Sequence, residues 1–194
     1  MENRQDINMD VCISTSLEPG NVLLDLCIAE CSKLNGNIQV EYDTLPSNDF
    51  INENTLYLSF LGDTIIPEHL INKHTYNTHP GPPHYRGWGA RLRTILDNQQ
   101  QHGVTLHRVV KRVDAGDILH TSWFDVDKND TPDTIHATAE IHCLKLVSWL
   151  IKQYQQNIVP NYKVAEWSGT FMYKKEFFEQ LKKYNLNRDI CEKI

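Results

Sequence analysis

Three side chains suited to acyl chemistry stand in the middle of this 194-residue sequence. Asn77 and His79 are two positions apart, so on a strand both would point to the same face. Asp114 precedes Ala115 and Gly116, small residues that permit a tight turn. A carboxamide can donate to a developing oxyanion, an imidazole can carry a proton near neutral pH, and a carboxylate can orient the imidazole. No Ser or Cys nucleophile is marked out locally, so we expect the attacking group to come from a substrate.

Each of these residues also has an ordinary structural interpretation. An asparagine at a strand end is most often a capping or turn residue. A lone histidine beside a proline is more often a hydrogen-bonding partner than a catalyst, and VDAGD at residues 113–117 is by itself an acidic turn. The prediction of a chemical site therefore depends on the three residue types occurring together and in this order.

The elements around these residues predict an α/β domain with a largely parallel sheet. Apolar or β-branched stretches predict four strands, at residues 10–15, 38–42, 55–61 and 75–79. Pro19 is expected to open a helix after the first strand, and Gly36 is available to cap its end. Ligands of parallel sheets bind beyond the carboxyl ends of the strands. Asn77 and His79 would lie at one such end.

The second half of the chain continues the alternation. Thr131 can cap the clearest helix of the sequence and Pro132 can open it. The buried stripe of this helix is expected to be Ile135, Ala139, Cys143, Leu146 and Leu150. The other predicted elements are a helix around 92–96, strands at 103–110 and 118–126, a short strand near 162–167 and a last helix from about 174.

Composition and charge exclude some classes of function. With 40% hydrophobic and 23% charged residues, the chain is expected to fold as one domain with a substantial core. The net charge of −6 argues against a nucleic-acid partner. No apolar run reaches the roughly 18 residues of a membrane span, and the polar N-terminus lacks a signal-peptide pattern. No membrane partner is therefore expected. The five cysteines form no CxxC pair, so we expect buried free thiols and a cytoplasmic location.

The same residues carry a resemblance to a known family. The segments NTHP at 77–80, YRG at 85–87 and GVTLHRVVKRVDAGDIL at 103–119 resemble the folate-dependent formyltransferases. That family includes glycinamide ribonucleotide formyltransferase, methionyl-tRNA formyltransferase and the sugar N-formyltransferases. The resemblance is specific across about residues 56–119 and is thinner on either side.

The resemblance implies a fold, a reaction and a site. It implies a single Rossmann-like three-layer catalytic domain over residues 1–194, with 156–194 as a C-terminal extension packed on the core. By motif, the family's catalytic triad falls on Asn77, His79 and Asp114, with 10-formyltetrahydrofolate as the formyl donor and no metal. The folate is expected to lie against two loops that contain Asp63, Thr64, Ile65, Ile66, Val110, Lys111 and Val113.

The loop after His79 is then expected to form the acceptor side of the site. Residues 77–89 contain three prolines and three glycines, a density that neither a helix nor a strand can hold. Such a stiff loop would fix the position of the acceptor amine. The candidates for contact with the acceptor are His84, Tyr85, Arg86 and Trp88, although Trp88 could equally belong to the core.

Departures from the family's patterns narrow the expected acceptor. The segment STSLEPGN at 14–21 lacks a Gly-rich phosphate-binding turn, which disfavours the purine-pathway activity. The segment GPPH at 81–84 differs from the corresponding segment of the methionyl-tRNA enzymes, so no tRNA partner is expected. We expect a monomer or homodimer that formylates the primary amine of a small acceptor, with a nucleotide-linked amino sugar as the preferred candidate. The alternatives are a 10-formyltetrahydrofolate hydrolase and a non-catalytic folate- or nucleotide-binding protein.

Overall fold

A computed structural model describes residues 7–183, in which six strands form one sheet with the spatial order β2-β1-β3-β4-β5-β6. The strands are β1 Met9–Thr15, β2 Asn35–Tyr42, β3 Leu56–Phe60, β4 Thr75–His79, β5 Gln101–Arg108 and β6 Ile118–Asp125. The helices are α1 Val22–Cys31, α2 Ala90–Leu96, α3 Pro132–Gln155 and α4 Lys174–Lys183. Strands β1 to β4 run parallel, while β5 is antiparallel to β4 and β6 to β5. The predicted α/β class with a mostly parallel sheet is confirmed.

The main core lies between the sheet and the two helices α1 and α3. The predicted stripe of α3 is buried at every position, and Thr131 caps the helix together with Thr134 in a reciprocal capping box. Cys27 and Cys31 of α1 are free thiols in the same core, as expected. Leu150 is fully buried, and truncating such a side chain to alanine costs about 2–5 kcal/mol of unfolding free energy.

The opposite face of the sheet is covered mainly by irregular chain. Cys12 and Tyr57 pack there against Ile66 and against Leu70, which lies in the short 3₁₀ helix Glu68–Leu70. This thin layer leaves the carboxyl ends of the central strands accessible from that side. The candidate site is found at those ends.

The ends of α1 differ from the sequence prediction. The helix begins at Val22 instead of Pro19, because the side chain of Asn21 accepts hydrogen bonds from the first free backbone amides of the helix. Gly36 is not the cap. Asn35 takes the left-handed conformation that ends the following 3₁₀ turn, with φ of 58°, and Gly36 already belongs to β2.

The chain after α3 returns across the site side of the molecule. The strand expected near 162–167 is reduced to a single bridge between Ala165 and Ile118. Helix α4 packs Phe177 and Leu181 against Leu92 of α2. The remainder of the predicted C-terminal extension lies outside the described residues. Within residues 7–183, no helix is both long and apolar enough to cross a membrane.

Candidate active site

A cavity of about 620 Å³ lies at the carboxyl ends of β1, β3 and β4. One wall is the chain that follows β3, residues 61–66, and another is the loop that follows β5, residues 109–114. Every residue predicted to contact a folate lines this cavity, namely Asp63, Thr64, Ile65, Ile66, Val110, Lys111 and Val113. The two loops named from the sequence are therefore brought together around one space.

Asn77 and His79 lie on the same face of β4 and both line the cavity. Their neighbour Tyr76 points to the opposite face, into the core against α3, as the two-residue period of a strand requires. His79 is only 6% exposed, so its imidazole interacts with protein groups and with whatever enters the cavity.

Asp114 reaches these side chains because the loop between β5 and β6 folds back sharply. Its own φ is 45°, a left-handed conformation that costs a non-glycine residue about 1–3 kcal/mol and often marks a functional position. Gly116 permits the turn, since a Cβ at this position would collide with the carbonyl of Arg108. One Asp114 carboxylate oxygen lies 3.6 Å from Nδ1 of His79, and the other lies 3.5 Å from Nε2 of His107.

The Asp114 carboxyl is held in its ionised form. Burial alone would raise its pKa, but the two neighbouring imidazoles and the backbone N–H of Gly87 outweigh burial and lower the pKa well below its usual range. The Gly87 amide donates to Oδ2 at 2.8 Å. Asp114 is therefore a buried carboxylate beside two imidazoles, an arrangement suited to orienting them and stabilising their protonated forms.

The proton positions on His79 follow from its partners. Its Nε2 lies 2.8 Å from the backbone carbonyl of Tyr85, which can only accept, so Nε2 carries a proton. Nδ1 is then the basic atom of the neutral ring, and it faces Asp114. A proton taken up at Nδ1 would produce an imidazolium directly paired with a carboxylate.

His107 is a site residue that sequence reasoning missed. Its Nδ1 donates to the carbonyl of Arg108 at 2.8 Å, and in the neutral ring Nε2 then accepts a hydrogen bond from Nδ2 of Asn77, 3.0 Å away. The two residues are direct partners in the β4–β5 ladder. The strand alternation of residues 103–110 places His107 on the same face as Thr105 and Val109. The register that pairs His107 with Asn77 is not visible in the sequence.

The four residues predicted to contact the acceptor differ in whether they line the cavity. Trp88 lines the cavity, with Nζ of Lys174 lying 4.2 Å from its ring centroid. His84, Tyr85 and Arg86 do not line it. The Tyr85 side chain is buried with its hydroxyl donating to Asp97, and the Arg86 Nε donates to the backbone carbonyl of Asp114 at 2.7 Å. His84 packs its ring against Tyr85.

Polar and charged side chains of two helices complete the cavity wall. His136 and Glu140 of α3 form a pair with 3.1 Å between Nε2 and Oε1, and both line the cavity. Arg91 of α2 lines it too, and burial lowers the pKa of this guanidinium. Within the part of the chain that the structure describes, no group of three or more His, Cys, Asp or Glu side chains is placed to hold a metal ion.

Sequence comparison connects this site to known proteins. Residues 54–145 match the family model described as formyl transferase, a segment that contains Asn77, His79 and Asp114. A methionyl-tRNA formyltransferase of Staphylococcus aureus (strain Newman) is 28% identical over 116 residues, which is 58% of this chain and 35% of the relative. The chain thus spans about a third of the length of the curated relatives it matches.

Solved structures share the fold. An N-formyltransferase from Helicobacter canadensis, solved with folinic acid and dTDP-3-aminofucose, gives a TM-score of 0.74 at 17% identity over 87% of this chain and 72% of that one. The formyltransferase PseJ from Anoxybacillus kamchatkensis, solved with a UDP-linked formamido sugar and tetrahydrofolate, gives 0.70 at 16% identity over 91% and 89%. The fold expected from the resemblance is therefore confirmed.

Proposed function

We propose, from the match of residues 54–145 to the formyl transferase family model, that this chain transfers a formyl group from 10-formyltetrahydrofolate to the primary amine of a small acceptor. The observation that carries the proposal is the convergence of Asn77, His79 and Asp114 on one cavity together with both predicted folate loops. These residues lie up to 37 positions apart in the sequence, and the fold brings them together in a single site.

The cavity suits a folate ring system. Three apolar side chains on the two loops remain solvent-accessible at its edge, with Ile65 70% exposed, Val110 42% and Val113 39%. Apolar surface beside a cavity is common in small-molecule sites, and a folate ring bound there would bury it. We assign the folate to the space between loops 61–66 and 109–114, with the backbone of both loops available for hydrogen bonds to the ring.

The donor supplies a formyl carbon that the acceptor nitrogen attacks, and the carbon–nitrogen bond to the folate breaks as the new amide bond forms. Asn77 is the oxyanion donor in this scheme. One amide hydrogen is used on His107 Nε2, which leaves the second to donate to the formyl oxygen. A well-placed donor of this kind lowers the barrier by about 3 kcal/mol.

His79 and Asp114 handle the proton that the amine must lose. Nδ1 of His79 accepts it, because Nε2 is already protonated and bound to the Tyr85 carbonyl. The adjacent Asp114 carboxylate stabilises the resulting imidazolium, and this positive charge also stabilises the oxyanion. The proton then passes to the folate nitrogen as it leaves, so charge and protons balance over the reaction.

A nucleotide-linked amino sugar remains the preferred acceptor. Two structural neighbours were solved with nucleotide-linked sugars, which supports this class without identifying a particular sugar. In this chain the acceptor would enter past Trp88, Tyr173 and Lys174, an aromatic and basic rim of the cavity. We include residues 156–194 in the same catalytic domain. We also propose a cytoplasmic location for the activity, since the four described cysteines are all free.

Binding of 5-formyltetrahydrofolate, a stable analogue of the donor, provides the first test. We expect calorimetry to show saturable binding to the wild type that weakens in Asp114→Ala, because that substitution changes the wall shared by the triad and the loop 109–114. Asp117→Ala, an exposed aspartate three residues away that does not line the cavity, is the matched control. Equal affinity in all three proteins would contradict the assigned folate position.

Product analysis with the true donor separates the activities. Formylated amine from a panel of nucleotide-linked amino sugars supports the transferase. Formate released at the same rate without any amine supports the hydrolase, and analogue binding without turnover on any acceptor supports the non-catalytic protein.

A further inference from the structure

Trp167 packs directly behind the two histidines of the site, although it lies outside the family-matched segment. The centroid of its ring is 5.0 Å from that of His107 and 5.8 Å from that of His79, both in edge-on geometry. Both histidines line the cavity and Trp167 does not. The indole therefore contacts both imidazoles without belonging to the cavity wall.

The indole is also bonded to the turn that carries Asp114. Its Nε1 donates to the carbonyl of Gly116 at 2.6 Å. The Arg86 guanidinium carbon lies 5.8 Å from the Trp167 ring centroid, while the Nε of the same side chain donates to the Asp114 carbonyl at 2.7 Å. Trp167 thus supports the Asp114 turn directly through Gly116 and indirectly through Arg86.

The segment around Trp167 is held in place by backbone hydrogen bonds on either side of the indole. Ser168 N–H donates to the Pro83 carbonyl at 3.1 Å, and Val164 N–H donates to the Ile118 carbonyl at 2.9 Å. Further along, Met172 accepts from the Trp88 amide at 2.9 Å. Because both ends are anchored to structured chain, the indole has a defined position over the imidazoles.

We propose that Trp167 is a positioning residue for the proposed formyl transfer, which holds the imidazoles of His79 and His107 and the Asp114 turn in their reactive arrangement and keeps water from reaching them from behind. This inference rests on the proposed function for its effect on turnover. The structural part of the inference, that Trp167 shields two particular imidazoles, does not depend on the proposed function.

The expected kinetic consequence is a loss of turnover without a comparable loss of binding. Trp167 does not line the cavity, so its removal leaves the contact surface for folate and acceptor in place. Misplacing catalytic groups by about 1 Å can lower rates about 100-fold. We therefore expect Trp167→Ala to lower kcat at least about tenfold while KM for the acceptor and the Kd for 5-formyltetrahydrofolate change less than about threefold.

Trp149 provides a matched control. Its ring makes the same kind of edge contact with a histidine, His120, at 4.9 Å, but neither residue lines the cavity. Trp149→Ala is expected to retain the wild-type kcat. Trp167→Phe keeps an aromatic ring over the imidazoles but cannot donate to Gly116, so its kcat should lie between those of the wild type and Trp167→Ala.

Chemical modification tests the shielding without any turnover. The probe is diethyl pyrocarbonate, which acylates accessible neutral imidazoles, followed by peptide mass spectrometry. In Trp167→Ala we expect faster modification at His79 and His107 than in the wild type, whereas in Trp149→Ala only His120 should become more reactive. Since this readout needs no formyl transfer, it remains informative if the wild type proves inactive.

The outcomes are distinguishable. A wild type without transferase activity contradicts the proposed function, and unchanged modification of His79 and His107 in Trp167→Ala overturns the inference. An unchanged kcat in a folded Trp167→Ala protein overturns it as well. If Trp167→Ala fails to fold, Trp167→Phe carries the test, and wild-type values of both kcat and modification rate in that variant overturn the inference.

Discussion

Asn77 and His107 face each other across the β4–β5 ladder, with 3.0 Å between the Asn77 amide nitrogen and Nε2 of His107. The Arg108 carbonyl fixes the His107 tautomer, and His107 in turn fixes which way the Asn77 carboxamide points. The proposed oxyanion donor is therefore oriented before any substrate binds, which is the condition under which such donors are most effective.

Replacing the Asn77 amide with an isosteric acceptor tests its donor role. Asn77→Asp removes the N–H and adds a negative charge where the oxyanion would form, so we expect kcat to fall about 100- to 1000-fold. Asn98→Asp, an exposed substitution of the same kind, should leave kcat unchanged. Steady-state kinetics with saturating donor measures both, and a loss of less than fivefold in Asn77→Asp would remove Asn77 from the mechanism.

Removing His107 tests whether the orientation of Asn77 matters. In His107→Leu the Asn77 amide loses its acceptor and can rotate, so we expect kcat to fall about tenfold or more, with a smaller change in folate affinity. His107→Gln offers an acceptor oxygen to the same amide and should recover part of the activity. Equal activity in the Leu and Gln variants would indicate that His107 acts only through packing.

Gly87 links the stiff loop to Asp114 and should be intolerant of a side chain. Its φ is +74°, and a Cβ would collide with the Met172 carbonyl. We expect Gly87→Ala to destabilise the fold by about 1–3 kcal/mol more than Gly20→Ala, measured by urea unfolding. Gly20 also has positive φ, +82°, but nothing lies within 4 Å of its Cβ position, so the control isolates the backbone cost from the collision. Equal losses would mean that the chain at Met172 shifts freely.

Buried His102 should make the protein sensitive to mild acid. Burial is the main cause that lowers its pKa from 6.5 to about 4, and the ring nitrogens lie 2.7 Å from the Thr94 hydroxyl oxygen and 3.3 Å from the Pro80 carbonyl oxygen. The unfolded chain binds a proton here that the folded chain does not, so stability is complete above pH 6.5 and falls as the pH decreases towards 4. The expected loss from this residue is about 3 kcal/mol.

Urea unfolding of the wild type at pH 7 and pH 4.5 measures this loss. His102→Phe should show a smaller difference between the two pH values, although His74, whose pKa burial also lowers to about 4, will keep part of it. Asp114 contributes in a separate window, because its lowered pKa means that its stabilisation is lost only below the usual value of 3.8. An unchanged pH dependence in His102→Phe would contradict the prediction.

Two features of the fold could be predicted from short-range patterns in the sequence. The two-residue period of β4 placed Asn77 and His79 on one face, and the apolar stripe with the Thr131 cap located α3. These two predictions held because each depends on neighbours within one element, where backbone geometry alone sets the direction of the side chain. The two loops expected to contact the folate were named from the family resemblance, and that contact remains a prediction.

Which distant side chains meet depends on how the elements pack together. The pairing of Asn77 with His107 depends on the register of an antiparallel ladder, and the contact of Trp167 with Gly116 joins residues 51 positions apart. Tyr85 and Arg86, whose contact with the acceptor stays a prediction, support His79 and Asp114 through a backbone carbonyl and a guanidinium. Such contacts arise from how complete elements pack, and no local pattern encodes them.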